Sequence, residues 1–288
     1  MFAGAYTALV TPFTKDGRLD VPRLRDLVEF QIAEGIDGLV PVGTTGESPT
    51  LDYGEHVQVI EETVAAARGR VPVIAGTGSN STQEAIELTR RAADAGVTAT
   101  LQVTPYYNKP TQTGLIAHFS AIADVGLPVM LYNVPGRTVC EISVPTVEQL
   151  ARHPNIVAIK EAGGSVERVV RIREACSIEV LSGDDALTLP MMEAGAIGVV
   201  SVASNVIPRA VRDLVHAANE RRWAEARALH ERWMPLFKDL FIETNPQPVK
   251  AALALMGRIE ESLRLPLVPI SPGTRERLTA TLRTLGIL

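Results

Sequence analysis

The chain has 288 residues, of which 46% are hydrophobic, and it carries a formal net charge of -5 with an isoelectric point near 5.6. This length and composition are enough for one large buried core, such as an α/β barrel of about 250 residues with an appendage. The acidic balance gives no sign of the clustered basic surface that nucleic-acid-binding proteins carry, so we expect small molecules as partners.

The sequence shows no targeting segment and no framework of cysteines. Residues 1–6 lack the basic start and apolar stretch of a signal peptide, and no run reaches the roughly 18 apolar residues of a membrane span. Cys140 and Cys176 are far apart and form no CxxC pair, which argues against disulfides and thiolate metal sites. We therefore expect a cytoplasmic protein that does not enter the membrane.

No metal site is predicted either. The five histidines are scattered, and no carboxylates are spaced so that they would face one another around an ion. Four of the histidines lie in helical patterns, where we expect them at the surface: His118, His153, His216 and His230.

Short β-branched apolar runs alternate with amphipathic stretches along most of the chain, a pattern typical of repeated βα units. Eight strands are predicted, at residues 5–11, 38–42, 71–75, 99–103, 129–133, 156–160, 179–182 and 196–201. Between them lie helical patterns such as 22–34, 54–67 and 82–95, with apolar residues three and four positions apart. Eight strands with eight helices predict an α/β fold, the (β/α)8 TIM barrel.

After residue 208 the sequence predicts helices and no further strand. The helical patterns are at 208–219, 223–240, 248–256 and 272–285, which supply the eighth helix of the barrel and about three more. We therefore predict a barrel over residues 1–220 and an appended C-terminal helical bundle over residues 221–288.

In such a barrel, the residues that carry chemistry lie where strands end and βα loops begin. The strand ends of this sequence are rich in polar residues, at 11–12, 43–47, 76–78, 104–107, 132–133, 136–137, 160–161, 183–185 and 200–205. We expect the functional site at this end of the barrel.

Lys160 is conspicuous, because it is one of only five lysines and follows the apolar run 156–159. Its amine would lie against the apolar barrel interior, where loss of solvation favours the neutral form that attacks a carbonyl. Position alone leaves two other roles open for Lys160. It could form a buried ion pair with Glu161 or Asp184, or it could anchor a phosphate.

Other polar residues are predicted close to this lysine. Tyr132 ends the neighbouring strand, where its phenol could transfer protons or could simply plug the barrel mouth. Thr44 and Thr45 lie in the glycine-bounded loop 43–46, whose N–H groups could receive a carboxylate. The loop lacks the Gly-Lys-Ser/Thr of a phosphate-binding loop. Arg137 could bind a second carboxylate with its planar guanidinium, or it could be a solvated surface residue.

Six motifs stand in order along the chain: TALVTPF at 7–13, GTTGES at 43–48, PYYNKP at 105–110, YNVPGRT at 132–138, IKEA at 159–162 and ETNP at 243–246. Together they resemble the dihydrodipicolinate synthase family of pyruvate-dependent class I aldolases. The likeness spans nearly the whole chain.

The resemblance implies a Schiff-base lyase that condenses pyruvate with L-aspartate-4-semialdehyde in diaminopimelate and lysine biosynthesis. Lys160 would form the imine with pyruvate, while Thr44, Tyr132 and a Tyr107 from a neighbouring subunit would relay protons. No metal or organic cofactor is expected, because the protonated imine is itself the electron sink.

The resemblance also implies how the substrates bind. Thr45 and the backbone near Val200 would hold the pyruvyl carboxylate, with Gly183 lining the same cavity. Arg137 would attract the carboxylate of the aldehyde substrate.

Members of the family are often inhibited by L-lysine at a cleft between two subunits, and they are usually homotetramers built as dimers of dimers. Glu84 would bind the ammonium of the effector. Pro49 and Tyr53 stand where alanine and histidine are common in strongly lysine-sensitive members. The positions that match the cleft are Ser48, Pro49, His56, Asn80, Glu84 and Tyr106.

Two other functions stay open from the sequence. One is a sugar-acid aldolase or dehydratase of the same superfamily, such as an N-acetylneuraminate lyase or a keto-deoxy-gluconate aldolase, which shares Lys160 and Tyr132. Residues 44–45, residues 136–138 and Tyr107 favour the synthase group over these enzymes. The other is a non-catalytic small-molecule sensor on a barrel scaffold, against which the retention of every reacting residue argues.

Overall fold

The computed structural model describes residues 2–288, and its eight parallel strands form a single sheet. The strands are β1 (Gly4–Ala8), β2 (Gly38–Val40), β3 (Ile74–Gly76), β4 (Ala99–Val103), β5 (Val129–Asn133), β6 (Ile156–Glu161), β7 (Glu179–Ser182) and β8 (Gly198–Ser201). Their order in the sheet is β2-β1-β8-β7-β6-β5-β4-β3. Leu39 N donates to Pro72 O at 3.0 Å and so joins the two edges, which confirms the predicted (β/α)8 barrel.

Helices surround the barrel and continue after its last strand. They are α1 (Val21–Ala33), α2 (Tyr53–Ala67), α3 (Thr82–Asp94), α4 (Gln112–Ala123), α5 (Pro135–Thr138), α6 (Val144–Leu150), α7 (Val166–Ala175), α8 (Thr188–Glu193), α9 (Pro208–Asn219), α10 (Trp223–Asp239), α11 (Gln247–Leu255) and α12 (Pro272–Thr284). Over residues 2–288, none of them combines the length and the apolar character that crossing a membrane requires.

The largest differences from the predicted strand bounds are at the end of β1 and at the start of β3, and both have identifiable reasons. β1 ends at Ala8 because Val10 N donates to the side chain of Asn205, at 3.2 Å, and no longer to a neighbouring strand. β3 begins at Ile74, three residues later than predicted, since Pro72 has no N–H with which to continue a ladder.

The barrel interior is filled by side chains that alternate along the strands. The inward-facing cluster contains Met130 and Tyr132 from β5, Ala158 from β6 and Leu181 from β7. Because strand residues two apart share a face, Lys160 follows Ala158 inward and reaches the carboxyl end of the barrel.

Of the C-terminal helices, α11 packs against this end of the barrel. The fully buried Lys250 of α11 donates from Nζ to Thr11 O at 2.9 Å and to Glu47 Oε1 at 2.6 Å. The division between residues 220 and 221 stays a prediction, and it falls in the turn between α9 and α10.

The prediction that His118 and His230 lie at the surface is wrong, because both side chains are buried. His118 Nδ1 lies 2.9 Å from Thr82 Oγ1, and burial lowers the pKa of His118 to about 4. The folded protein therefore binds a proton at His118 less tightly than the unfolded chain does, because a histidine in an unfolded chain has a pKa near 6.5.

We expect the stabilisation from neutral His118 to be present above pH 6.5 and to be lost as the pH falls towards 4, by up to about 3 kcal/mol. Urea unfolding of the wild type and of His118→Gln, at pH 7.5, 5.5 and 4.5 and one protein concentration, measures this loss. The substituted protein should lose less stability over this range. Parallel losses in both proteins would contradict the assignment.

Candidate active site

Lys160 lies where β6 meets Tyr132 of β5, its direct partner in the register of the two strands. Its side chain is 6% exposed, and Nζ lies 4.2 Å from the centroid of the Tyr132 ring. The amine and the phenol therefore meet at one point of the barrel mouth, as the sequence predicts.

The alternative in which Lys160 pairs with a neighbouring carboxylate is not realised. Glu161 accepts from Arg168 Nε at 2.7 Å and from Asn133 Nδ2 at 2.9 Å, on the outer face of the strand. Asp184 accepts backbone N–H groups of the following turn and so caps it. Over residues 2–288, Lys160 forms no ion pair, which leaves its nitrogen available to a ligand.

Gly183, at the end of β7, provides the space that the lysine side chain occupies. A Cβ at this position would lie 2.7 Å from Ala162 Cβ and 2.9 Å from Lys160 Cε, closer than side-chain atoms can approach. Any larger residue would displace the lysine.

A cavity of about 130 Å³ opens beside the lysine. It has room for a few small-molecule atoms or waters, and several βα loops contribute to its wall. Its lining contains six residues predicted from the sequence: Thr44, Thr45, Tyr132, Arg137, Lys160 and Gly183.

The loop after β2 supplies two free amide donors to this region. Gly46 N and Glu47 N donate back to Gly43 O and Thr44 O, at 3.0 and 3.1 Å, which folds the loop into a tight turn. Thr44 N and Thr45 N have no acceptor among residues 2–288. Adjacent unpaired N–H groups form an anion-binding concavity, so the loop is suited to a carboxylate.

Asn245, which was not predicted from the sequence as a site residue, connects Thr45 with Arg137, the two side chains predicted to bind carboxylates. Its Nδ2 donates to Thr45 Oγ1 at 3.0 Å, and its carbonyl oxygen accepts from Arg137 at 3.2 Å. It also lines the cavity. Its place in the ETNP motif was the signal in the sequence that could have marked it as a site residue. The motif does not indicate its partners, which are about 100 and 200 residues away along the chain.

Two predicted site residues lie outside the cavity. Tyr107 is 89% exposed, with a φ of 73°, and does not line the cavity of its own chain. Val200 is fully buried in the barrel interior, whereas Val202, two residues further on, lines the cavity.

The residues predicted to bind L-lysine converge on a second cavity, of about 90 Å³, beside the first. Asn80 lies next to it and donates from Nδ2 to Tyr106 O at 3.2 Å. A smaller cavity between the two is lined by Ser48 on one side and by Thr44 and Tyr132 on the other. The predicted residues that line the second cavity are Ser48, Pro49, His56, Glu84 and Tyr106.

A (β/α)8 barrel in which an unpaired lysine lies against a tyrosine, beside a loop with two free amide N–H groups, has the form of a Schiff-base-forming lyase. The sequence model described as the dihydrodipicolinate synthetase family matches residues 1–285. A protein of Geobacter sulfurreducens named 4-hydroxy-tetrahydrodipicolinate synthase is 54% identical over 286 residues, which cover 98% of each chain. The chain belongs to the dihydrodipicolinate synthetase family.

Solved structures agree with this assignment. The 4-hydroxy-tetrahydrodipicolinate synthase of Methylacidiphilum fumariolicum SolV superposes with a TM-score of 0.98 at 52% identity, covering 99% of this chain and 96% of that one. The dihydrodipicolinate synthase of Cyanidioschyzon merolae with lysine bound superposes with a TM-score of 0.97 at 44% identity, covering 100% of this chain and 99% of that one.

Proposed function

We propose that this chain is a 4-hydroxy-tetrahydrodipicolinate synthase, which condenses pyruvate with L-aspartate-4-semialdehyde in the diaminopimelate route to lysine. The observation that carries the proposal is the amine of Lys160, buried, free of any carboxylate and 4.2 Å from the centre of the Tyr132 ring. The carboxylate-binding groups of one cavity surround it. As a biosynthetic enzyme it would act in the cytoplasm.

The reaction begins when the neutral amine of Lys160 attacks C2 of pyruvate. Tyr132 gives a proton to the resulting hydroxyl, which leaves as water, so that a protonated imine joins Nζ to C2. The free N–H groups of Thr44 and Thr45 would hold the pyruvyl carboxylate during this step.

The positive imine nitrogen withdraws electrons, so a proton is lost from the pyruvyl methyl group and an enamine forms. The enamine carbon attacks the aldehyde carbon of L-aspartate-4-semialdehyde, and the aldehyde oxygen takes up a proton. The amine of the same substrate then adds to C2 and displaces Lys160, which closes the ring. Arg137, with one N–H group bound to Asn245, has further donors for the substrate carboxylate.

Borohydride trapping tests the first step. The protein is incubated with pyruvate and sodium borohydride, digested, and searched by mass spectrometry for a lysine that carries a reduced pyruvyl group. An adduct on Lys160, together with product formation from aspartate semialdehyde in a coupled assay, would support the proposal. No adduct, or one on another lysine, would overturn it and favour the sensor function.

We further propose that Tyr107 completes the proton relay of a neighbouring subunit in a dimer or tetramer. Its exposure in the single chain supports this, because an aromatic side chain 89% exposed has no partner within its own fold. Tyr107→Phe should lower kcat about 100-fold, the size of one proton-transfer contribution, and leave the circular dichroism spectrum unchanged. Unaltered turnover would exclude the relay role.

We also propose that the second cavity binds L-lysine as an inhibitor. Glu84, whose Oε2 accepts from Ser79 Oγ at 2.6 Å, would bind the ammonium of the effector. Glu84→Gln removes the negative charge that would bind this ammonium. The substitution should raise the inhibitory concentration of L-lysine about ten-fold. Glu61→Gln, at an exposed position of α2, is the matched control. A wild-type rate that stays flat up to millimolar lysine would rule out the effector site.

A further inference from the structure

A cavity larger than that of the active site lies on the outside of the barrel, with no lining residue in common with it. It measures about 440 Å³, against 130 Å³ for the active-site cavity, and lies between α1, α9, α10 and the end of α11. Phe30, Ile207, Trp233 and Met256 give it largely apolar walls. A concave site of this size with apolar walls and a few charged groups is typical of small-molecule binding.

The charged groups at this cavity carry an excess of positive charge. Three arginines line it. One of them, Arg209, forms an ion pair with Glu34, with Nε 2.9 Å from Oε2. The other lining carboxylate, Asp213, is bound by Arg212, which does not belong to the cavity. Over residues 2–288, no carboxylate pairs with the two remaining arginines, Arg232 and Arg258.

Both unpaired arginines stack on aromatic rings. The guanidinium carbon of Arg258 lies 3.4 Å from the centroid of Phe30, and that of Arg232 lies 4.9 Å from the ring of Trp233. Stacking fixes the plane of a guanidinium and leaves its edge N–H groups for an acceptor. Burial lowers the pKa of Arg258, an effect that the negative charge of Glu34 opposes.

The first turn of α9 adds two further donors at the same cavity. Arg209 N and Ala210 N have no acceptor within residues 2–288, and no side chain caps the helix. The positive end of this 12-residue helix therefore adds to the charge of the arginines.

We propose that this cavity binds a small organic anion, namely a carboxylate that carries an aromatic or branched apolar body. The carboxylate pairs with the edges of Arg232 and Arg258, and the apolar body packs against Trp233 and the aliphatic wall. Two planar guanidinium groups suit a carboxylate in geometry as well as in charge. The site is separate from the proposed reaction, since no residue of the active-site cavity lines it.

Calorimetric titration of the full-length protein with 3-phenylpropionate, and with the neutral 3-phenylpropionamide, tests this assignment. We expect the acid to bind and the amide, which has the same shape without the charge, to bind at least about ten-fold more weakly. Arg232→Met/Arg258→Met should weaken binding of the acid by a similar factor. Arg232→Met alone is the second variant, in case the double substitution disturbs folding.

Two control variants locate the bound acid. Arg227→Met removes an arginine of α10 that pairs with Glu193 outside the cavity, and Arg137→Met removes the guanidinium of the active site. Binding should be unchanged in both. Equal affinity for acid and amide, full affinity in the double variant, or loss of affinity in Arg137→Met would overturn the proposal. If the acid does not bind and the double variant differs from the wild type in assembly mass, a second copy of the chain occupies the cavity. That outcome would also overturn the proposal.

Discussion

Replacement of Lys160 by alanine should lower kcat by at least about a thousand-fold, because no other amine in the cavity can form the imine. Lys160→Arg should be as inactive, since a guanidinium keeps the positive charge but does not provide a neutral nucleophile. Steady-state kinetics with pyruvate and aspartate semialdehyde measures both losses.

The fold of these variants should survive, since Lys160 forms no ion pair or hydrogen bond that the substitutions would break. Lys238→Ala, at an exposed position of α10, is the matched control and should retain full activity. Residual turnover of the Lys160 variants above about a tenth of the wild type would show that the reaction does not pass through this amine.

Replacement of Lys250 by methionine should lower the free energy of unfolding by about 3–5 kcal/mol, because it leaves the buried carboxylate of Glu47 without its cation. Both side chains are fully buried, and Lys250 Nζ lies 2.6 Å from Glu47 Oε1. Burial lowers the pKa of Lys250. Urea unfolding at a fixed protein concentration and pH 7.5 measures the loss.

The double variant Glu47→Gln/Lys250→Met separates two contributions to the free energy of unfolding: the destabilisation by an unpaired buried charge and the net stabilisation by the ion pair. Since it leaves no buried charge behind, it should recover most of the stability. Lys238→Met serves as the exposed control. A double variant as unstable as Lys250→Met would show that packing, and not the charge, accounts for the loss.

The same pair holds the loop that carries Thr44 and Thr45. Glu47 has a φ of 55° at the end of this loop, a backbone conformation that non-glycine residues seldom adopt without support. Its carboxylate accepts from Lys250 of α11 and from Arg264 N in the segment after α11, so this part of the chain fixes the loop from behind. We therefore expect the stable double variant to have a higher KM for pyruvate than the wild type.

The sequence by itself determined the barrel and the centre of its site. Short β-branched apolar runs between amphipathic stretches defined the strands, and the run 156–159 placed Lys160 against the barrel interior, in the strand next to that of Tyr132. These features are local, because a strand's inward residues are set by its own few neighbours. The motifs at the strand ends then indicated the family, which the comparisons confirm.

Only the tertiary structure decided which distant residues complete the site. Asn245 and Lys250 contact residues about 200 positions earlier, and no periodicity or spacing of the sequence predicts such pairs. The freedom of Lys160 from an ion pair likewise depended on Arg168 binding Glu161 from α7. The exposure of Tyr107 and the burial of His118 were decided in the same way, because the environment of a side chain depends on which elements pack around it and not on its neighbours in sequence.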